Sequence, residues 1–354
     1  MIRRTIRTDV PIHLMHGWLI LDKPHGLGST QAVSAVKRAL RQSGAGKWKV
    51  GHGGTLDPLA TGVLPIAIGE ATKLAGRMLD SDKIYDFTVT FGTQTDTLDL
   101  EGKVIAESDH RPTLGEVEAI LPRFTGPIEQ APPAYSAILI DGQRAYDLAR
   151  AGQDVEMKLR SVMIYELQIS SLPKGGEDSV ACPHGGLAEL GEGQGASSPS
   201  PTPARQQAAK PPYPLPASGE RIQQITLRAH VSKGTYIRSL ARDIAIALGT
   251  VGHVTMLRRL KAGPFTLESA ISLDKLDEAA RGHGIAQLML PLTAGLDDIP
   301  ALAVSPDDAL ALRQGKVLVG KPHTGLMLAM EGDTPVALVE ASGPEIRVVR
   351  GFNL

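Results

Sequence analysis

The chain has one cysteine, Cys182, in 354 residues, so no internal disulfide can brace it, which agrees with a reducing compartment. Its apolar runs are short and broken by Gly, Pro or charge, and none reaches the roughly 18–20 residues that a membrane-spanning helix needs. Arg3, Arg4 and Arg7 open the sequence, but no apolar stretch of signal-peptide length follows before Asp22 and Lys23. A cytoplasmic location is therefore expected. Metal-ligand spacing is missing as well: Cys182 and His184 have no further ligands at suitable distances. Internal repeats and long basic tails are also absent.

Net charge is close to nil, with 37 Lys and Arg against 38 Asp and Glu, but the sum conceals segregation. Residues 1–50 hold nine basic residues against two acidic, residues 225–262 seven against one, and residues 266–354 seven against twelve. If the fold joins the two basic stretches, they form a phosphate-tracking surface. Scattered, solvated lysines and arginines are the alternative. Hydrophobic residues at 42% and charged residues at 21% describe an ordinary globular protein, and the length suggests two domains.

The sharpest break in composition is residues 171–220, where Gly, Pro and Ser fill 23 of 50 positions. Such a segment cannot bury enough apolar area to offset its ordering entropy, and a disordered insertion is expected. Strand patterns flank it: Val162–Leu167 before, and Ile225, Leu227, Ala229 and Val231 at period two after. The insertion should thus loop out of a continuous sheet. Earlier, Ser29 or Thr30 can cap a helix carrying Val33, Val36 and Leu40, and Tyr85, Phe87, Val89 and Phe91 alternate as a strand ending at Gly92. Later, Thr235 can cap a helix with Ile237, Leu240, Ile244 and Leu248 on one face and Gly249 at its end. Strands and helices mix without a regular strand–helix repeat, which predicts an α+β fold with a largely antiparallel sheet. From Ala301 onward, short apolar segments separated by Gly, Asp or Pro predict a small β-rich domain, joined by a helical connector between Leu273 and Leu290. The expected division is 1–263, interrupted at 171–220, then a connector over 264–298 and a second domain over 299–354.

The densest candidate for chemistry is Gly51-His52-Gly53-Gly54-Thr55-Leu56-Asp57-Pro58-Leu59-Ala60-Thr61-Gly62. Its glycines allow close backbone approach, which favours a ligand-facing loop. A phosphate-binding loop fits less well, because the Gly-Lys-Ser/Thr ending and the third glycine of a dinucleotide fingerprint are lacking. Asp57 before Pro58 also reads as a plain helix start, with Asp as N-cap and Pro as first helical residue. His52 alone reads as a loop histidine, and Arg238 alone as a surface arginine stacked on Arg242.

Several segments in series are nonetheless recognisable. His52 to Gly62, with Leu56-Asp57-Pro58-Leu59-Ala60-Thr61-Gly62 at its centre, resembles the signature of the bacterial TruB-type tRNA pseudouridine synthases. So do Gly17 to Pro24, Gly69-Glu70-Ala71-Thr72-Lys73, Asp80 to Tyr85, Thr95-Asp96-Thr97, Pro132 to Ala137, Gly142 to Arg150, Ser232 to Leu240, and His253 to Arg259. Together they cover most of residues 17–263 in the family's order. One departure is Leu139, which stands where the family often has a lysine after Tyr-Ser-Ala-Leu.

The resemblance implies a pseudouridine synthase fold with a C-terminal PUA-like RNA-binding domain, and isomerisation of uridine 55 in the tRNA T-loop. It implies Asp57 as the catalytic carboxylate, Arg238 as its ion-pair partner and Tyr85 as a stacking residue at the pocket mouth. It places Tyr236 and Leu257 in the pocket wall, Lys23 under the active-site loops, and His52 in the space the extruded nucleotide leaves. The reaction needs no metal and no cofactor. The expected partner is the T-arm of tRNA, with the enzyme a monomer that requires no protein partner. The alternatives are an RNA-binding or tRNA-folding scaffold without catalysis, for which Asp57 would be dispensable, and a synthase for another RNA.

Overall fold

The computed structural model describes residues 15–136, 138–140, 142–153, 157–171 and 219–354. The body of the Gly/Pro/Ser-rich insertion, with Cys182 and His184, lies outside the described residues. The main sheet contains ten strands: β1 (Gly17–Lys23), β2 (Val50–His52), β3 (Thr61–Ile68), β4 (Lys83–Phe91), β5 (Gly126–Gln130), β6 (Arg160–Ser171), β7 (Gln224–Val231), β8 (Gly252–Ala262), β9 (Phe265–Thr266) and β10 (Leu290–Pro291). They lie in the order β10-β1-β3-β8-β4-β7-β6-β5, with β2 on β3 and β9 on β8. Among these pairings only β3 with β8 is parallel, and the others are antiparallel. This is the mixed, largely antiparallel sheet that the irregular element order predicts.

Alternation in β4 and β7 sends Phe87, Val89, Phe91, Ile225, Leu227 and Ala229 to one face. There they bury Leu240 and Ile244 of helix α2 (Ile237–Ala247). A second core joins Leu19, Leu21, Leu64 and Ile66 to Val33, Val36 and Leu40 of α1 (Ser29–Gln42) and to Leu276 of α3 (Leu273–Arg281). Strands β6 and β7 pair directly, Ile169 opposite Leu227, so the insertion connects neighbouring strands of a continuous sheet.

The C-terminal residues form a three-stranded sheet, β11 (Ala301–Ala303), β12 (Leu318–Glu331) and β13 (Thr334–Gly351), with helix α4 (Pro306–Arg313). Leu302, Leu312, Val336, Val339 and Ile346 give it a core of its own. A third layer of Trp18, Ile20 and Val63 with Leu328, Leu338 and Phe352 joins it to the main sheet.

Two expected caps are not caps. Gly28 is the N-cap of α1, and Ser29 is buried inside the helix, its hydroxyl donating to Leu56 O and accepting from Leu56 N–H, both at 2.8 Å. Tyr236 is the N-cap of α2, while the Thr235 hydroxyl donates to Ser232 O at 3.0 Å. In both cases the hydroxyl serves a neighbouring loop instead of its own helix. Gly249 does close α2, in the left-handed region at φ +72°.

Candidate active site

The segment between β2 and β3 is shaped by its own protein. A Cβ on Gly53 would lie 2.7 Å from the Met78 Cβ, and one on Gly62 would lie 2.2 Å from Arg259 O. Gly54 and Gly62 have φ of +137° and +102°, a region that L side chains rarely adopt. Gly53 and Gly62 therefore admit neighbouring protein segments, while Gly54 to Leu59 face the cleft described below. No helix begins at Pro58: Ala60 N–H donates to Asp57 O at 3.0 Å and closes a turn. The helix-start reading of Asp57 falls with it.

Two buried cations pin this loop. Arg259, 1% exposed, donates to Val63 O at 2.7 Å, Thr55 O at 3.2 Å and Gly54 O at 3.4 Å. Lys23, 0% exposed, donates to Leu27 O at 2.6 Å, Pro24 O at 3.0 Å and Pro58 O at 3.1 Å. Burial lowers the Lys23 pKa to about 8; the Asp57 charge opposes the shift and the Arg259 charge adds to it.

Asp57 faces a cleft of about 850 Å³ whose walls include Tyr85, Tyr236, Leu257 and Arg238. Arg238 lies in the first turn of α2 and is nearly buried. Its Nη2 sits 3.1 Å from Asp57 Oδ2 and donates to Tyr135 O at 3.1 Å. Its Nη1 sits 3.2 Å from Asp99 Oδ2 and donates to Thr97 O at 2.9 Å. One guanidinium thus joins two carboxylates, and all four contacts fix its plane. The Asp57 side chain itself is 41% exposed, because the turn at 57–60 presents it to the cleft. Its partner Arg238 is the more deeply buried of the two, with its side chain 9% exposed.

Tyr85 and Leu257 pack against both the first and the second core while lining the cleft, so the core and pocket readings of Tyr85 hold together. Tyr236 is held by its N–H to Gln130 Oε1 at 2.8 Å, and burial raises its hydroxyl pKa. His52 and Lys23 are not among the residues of the cleft wall. His52 ends β2 opposite Ile66; burial and the Arg259 charge lower its pKa, and its buried Nδ1 has no hydrogen-bond partner. Leu139, in place of the family lysine, is 65% exposed.

Sequence reasoning passed over Asp99 and Arg259. Asp99 sits beside one of the segments singled out above and Arg259 ends another, but their partners lie 139 and 204 residues away, at Arg238 and Thr55. At the rim, the guanidinium groups of Arg144 and Arg150 lie 6.0 and 5.5 Å from the Tyr146 ring centroid, and the exposed Lys103 and Arg160 add positive charge. Among the described residues no group of three or more His, Cys, Asp or Glu could hold a metal ion, and no helix is long and apolar enough to cross a membrane.

Residues 37–184 match the TruB family pseudouridylate synthase (N terminal domain), and residues 238–297 match the tRNA pseudouridylate synthase B C-terminal domain. A tRNA pseudouridine synthase B of Novosphingobium aromaticivorans is 56% identical over 96% of this chain and 98% of its own. The chain belongs to the TruB family of pseudouridylate synthases. Another TruB-family relative, the tRNA pseudouridine synthase B of Zymomonas mobilis, is 54% identical over 98% of this chain and 99% of its own. The family fold recurs in a solved Cbf5-Nop10-Gar1 complex, with TM-score 0.63 and 23% identity over 97% of this chain and 88% of that one. It recurs too in the archaeal box H/ACA sRNP Nop10-Cbf5 complex, with TM-score 0.63 and 21% identity over 98% and 89%.

Proposed function

We propose that this TruB-family protein converts uridine 55 in the T-loop of tRNA to pseudouridine, with Asp57 as the catalytic carboxylate. The observation that carries the reading is the Asp57–Arg238 ion pair at 3.1 Å, set in a cleft whose rim is cationic. The names of the curated relatives supply tRNA as substrate.

The reaction breaks the N1–C1′ bond, turns the base and joins C5 to C1′; the C5 hydrogen leaves and N1 gains a proton, so the product is an isomer. An ionised carboxylate beside C1′ serves the bond-breaking step as nucleophile or as charge stabiliser. Arg238 engages Oδ2 of Asp57 and so limits the rotation of the carboxylate. Tyr85 stacks on the extruded base, worth about 1–3 kcal/mol, which offsets much of the few kcal/mol that flipping costs. Tyr236 and Leu257 enclose the nucleotide, and Lys23 holds the turn that carries Asp57. Arg144 and Arg150 meet the phosphates of the T-arm. The C-terminal sheet is read as the PUA-like RNA-binding domain, and the enzyme as a cytoplasmic monomer acting without metal or cofactor.

Tritium release from a T-arm RNA labelled at uridine C5 tests the proposal, because the new C5 bond expels that hydrogen. Release by the wild type and none by an Asp57→Asn variant that still binds is the expected result. Tight binding by both with release by neither returns the protein to the scaffold reading.

A further inference from the structure

Gly69-Glu70-Ala71-Thr72-Lys73 is one of the segments that carry the family resemblance, yet it contributes nothing to the cleft wall. It forms a 3-10 helix, Gly69–Leu74, directly after β3. Lys73 Nζ donates to Glu70 Oε2 at 2.6 Å and to Gly351 O at 2.9 Å. Glu70 Oε2 also accepts the Asn353 N–H at 2.8 Å. Two residues of the main body thus hold the chain on both sides of Phe352, which is 2% exposed in the shared apolar layer.

The pair is itself held in place. His16 Nδ1 accepts the Glu70 N–H at 2.9 Å, and Gly69, at φ +62°, leaves no room for a Cβ, which would lie 2.3 Å from that same nitrogen. Burial pushes the Glu70 carboxyl up, but the bonds from Lys73 and Asn353 and the nearby charge hold it below its ordinary value. Apolar burial of Phe352 is non-directional, and alone it fixes no angle between the sheets. Charge-assisted bonds to two backbone groups that bracket it do fix one.

We infer that the Glu70–Lys73 pair is a latch that sets the orientation of the C-terminal sheet on the catalytic sheet, so that a tRNA meets both as one surface. The inference rests on the proposed tRNA reaction. No residue of the C-terminal sheet lines the cleft, so the latch acts only on contacts beyond the target nucleotide. Arg350, exposed on β13 next to the latched Gly351, is the cation whose direction it sets, with Arg347, paired to Glu345 at 2.7 Å, further along the same strand. Glu70 and Lys73 are positioning residues, not catalytic ones.

The test compares wild type, Lys73→Met and Lys73→Arg on full-length tRNA and on an isolated T-arm hairpin, with amide hydrogen exchange at Asn353 as a readout independent of activity. Lys73→Met removes the bonds to both Glu70 and Gly351, and KM for tRNA is expected to rise at least about fivefold with kcat unchanged. Kinetics on the hairpin stay level, Asn353 exchanges faster, and Lys73→Arg restores both. Should Lys73→Met fail to fold, Glu70→Gln weakens the same pair with little change of shape and is read in the same way. An equal fall of kcat on both RNAs, or an unchanged KM for tRNA, overturns the latch. If the wild type releases tritium from neither RNA, the isomerase reading fails separately, and unchanged exchange at Asn353 then overturns the latch by itself.

Discussion

Arg238 touches Asp57, Asp99 and two backbone carbonyls at once, and a lysine cannot reproduce four directed contacts from one ammonium. Arg238→Lys and Arg238→Ala are both expected to lower kcat, the alanine by about 100-fold, the cost of a misplaced reacting group. Single-turnover tritium release measures this. Lys23 makes a second prediction. Its folded pKa of about 8 lies below the ordinary lysine value of 10.5, so between these values the unfolded chain binds more protons than the folded one. Stability then rises with pH across that window as the cost of burying the charge is relieved. Denaturation of wild type and Lys23→Met between pH 8 and pH 10 should show the wild type gaining on the variant. Asp57, Tyr85, Arg238, Tyr236 and Leu257, each singled out within a recognisable run of residues, do share one cleft. Asp99 and Arg259 were not legible, since what they do is set by partners far along the chain. His52 stands at the end of β2, outside the cleft wall.

At the level of elements, periodicity located β4, β7, α1 and α2, because each must bury one face. The caps were misread for one physical reason: a hydroxyl near a helix start has several acceptors to choose from, and tertiary neighbours decided. Ser29 makes the point, since its hydroxyl satisfies both backbone groups of Leu56 in a buried setting. Ser29→Ala leaves both unpaired and is expected to cost about 1–3 kcal/mol, read from the urea midpoint. Gly62→Ala adds a Cβ at positive φ against a backbone carbonyl that cannot retreat without parting β3 from β8. Little soluble protein is expected from it, whereas Gly51→Ala, with open space around its Cβ position, should express normally.

For the whole molecule, two sheets share one apolar layer, and the change from mixed to β-rich patterning in the sequence falls near Ala301, where the second sheet begins. The shared layer was not visible, because Trp18 and Phe352 gave no sign of meeting. Since β6 and β7 are antiparallel neighbours, a short turn can replace what joins them. Deleting residues 175–217 is expected to leave the melting temperature and tritium release unchanged. The strand order carries a further cost. β8, which brings Leu257 and Arg259, lies between β3 and β4, although it is made long after both. Until residue 262 has left the ribosome, the early strands expose two unpaired edges and the Asp57 loop lacks its arginine clamp. Nascent chains that stop short of this point present sheet edges open to aggregation, and synthesis of active enzyme should respond to chaperone supply more than the stability of the finished fold suggests.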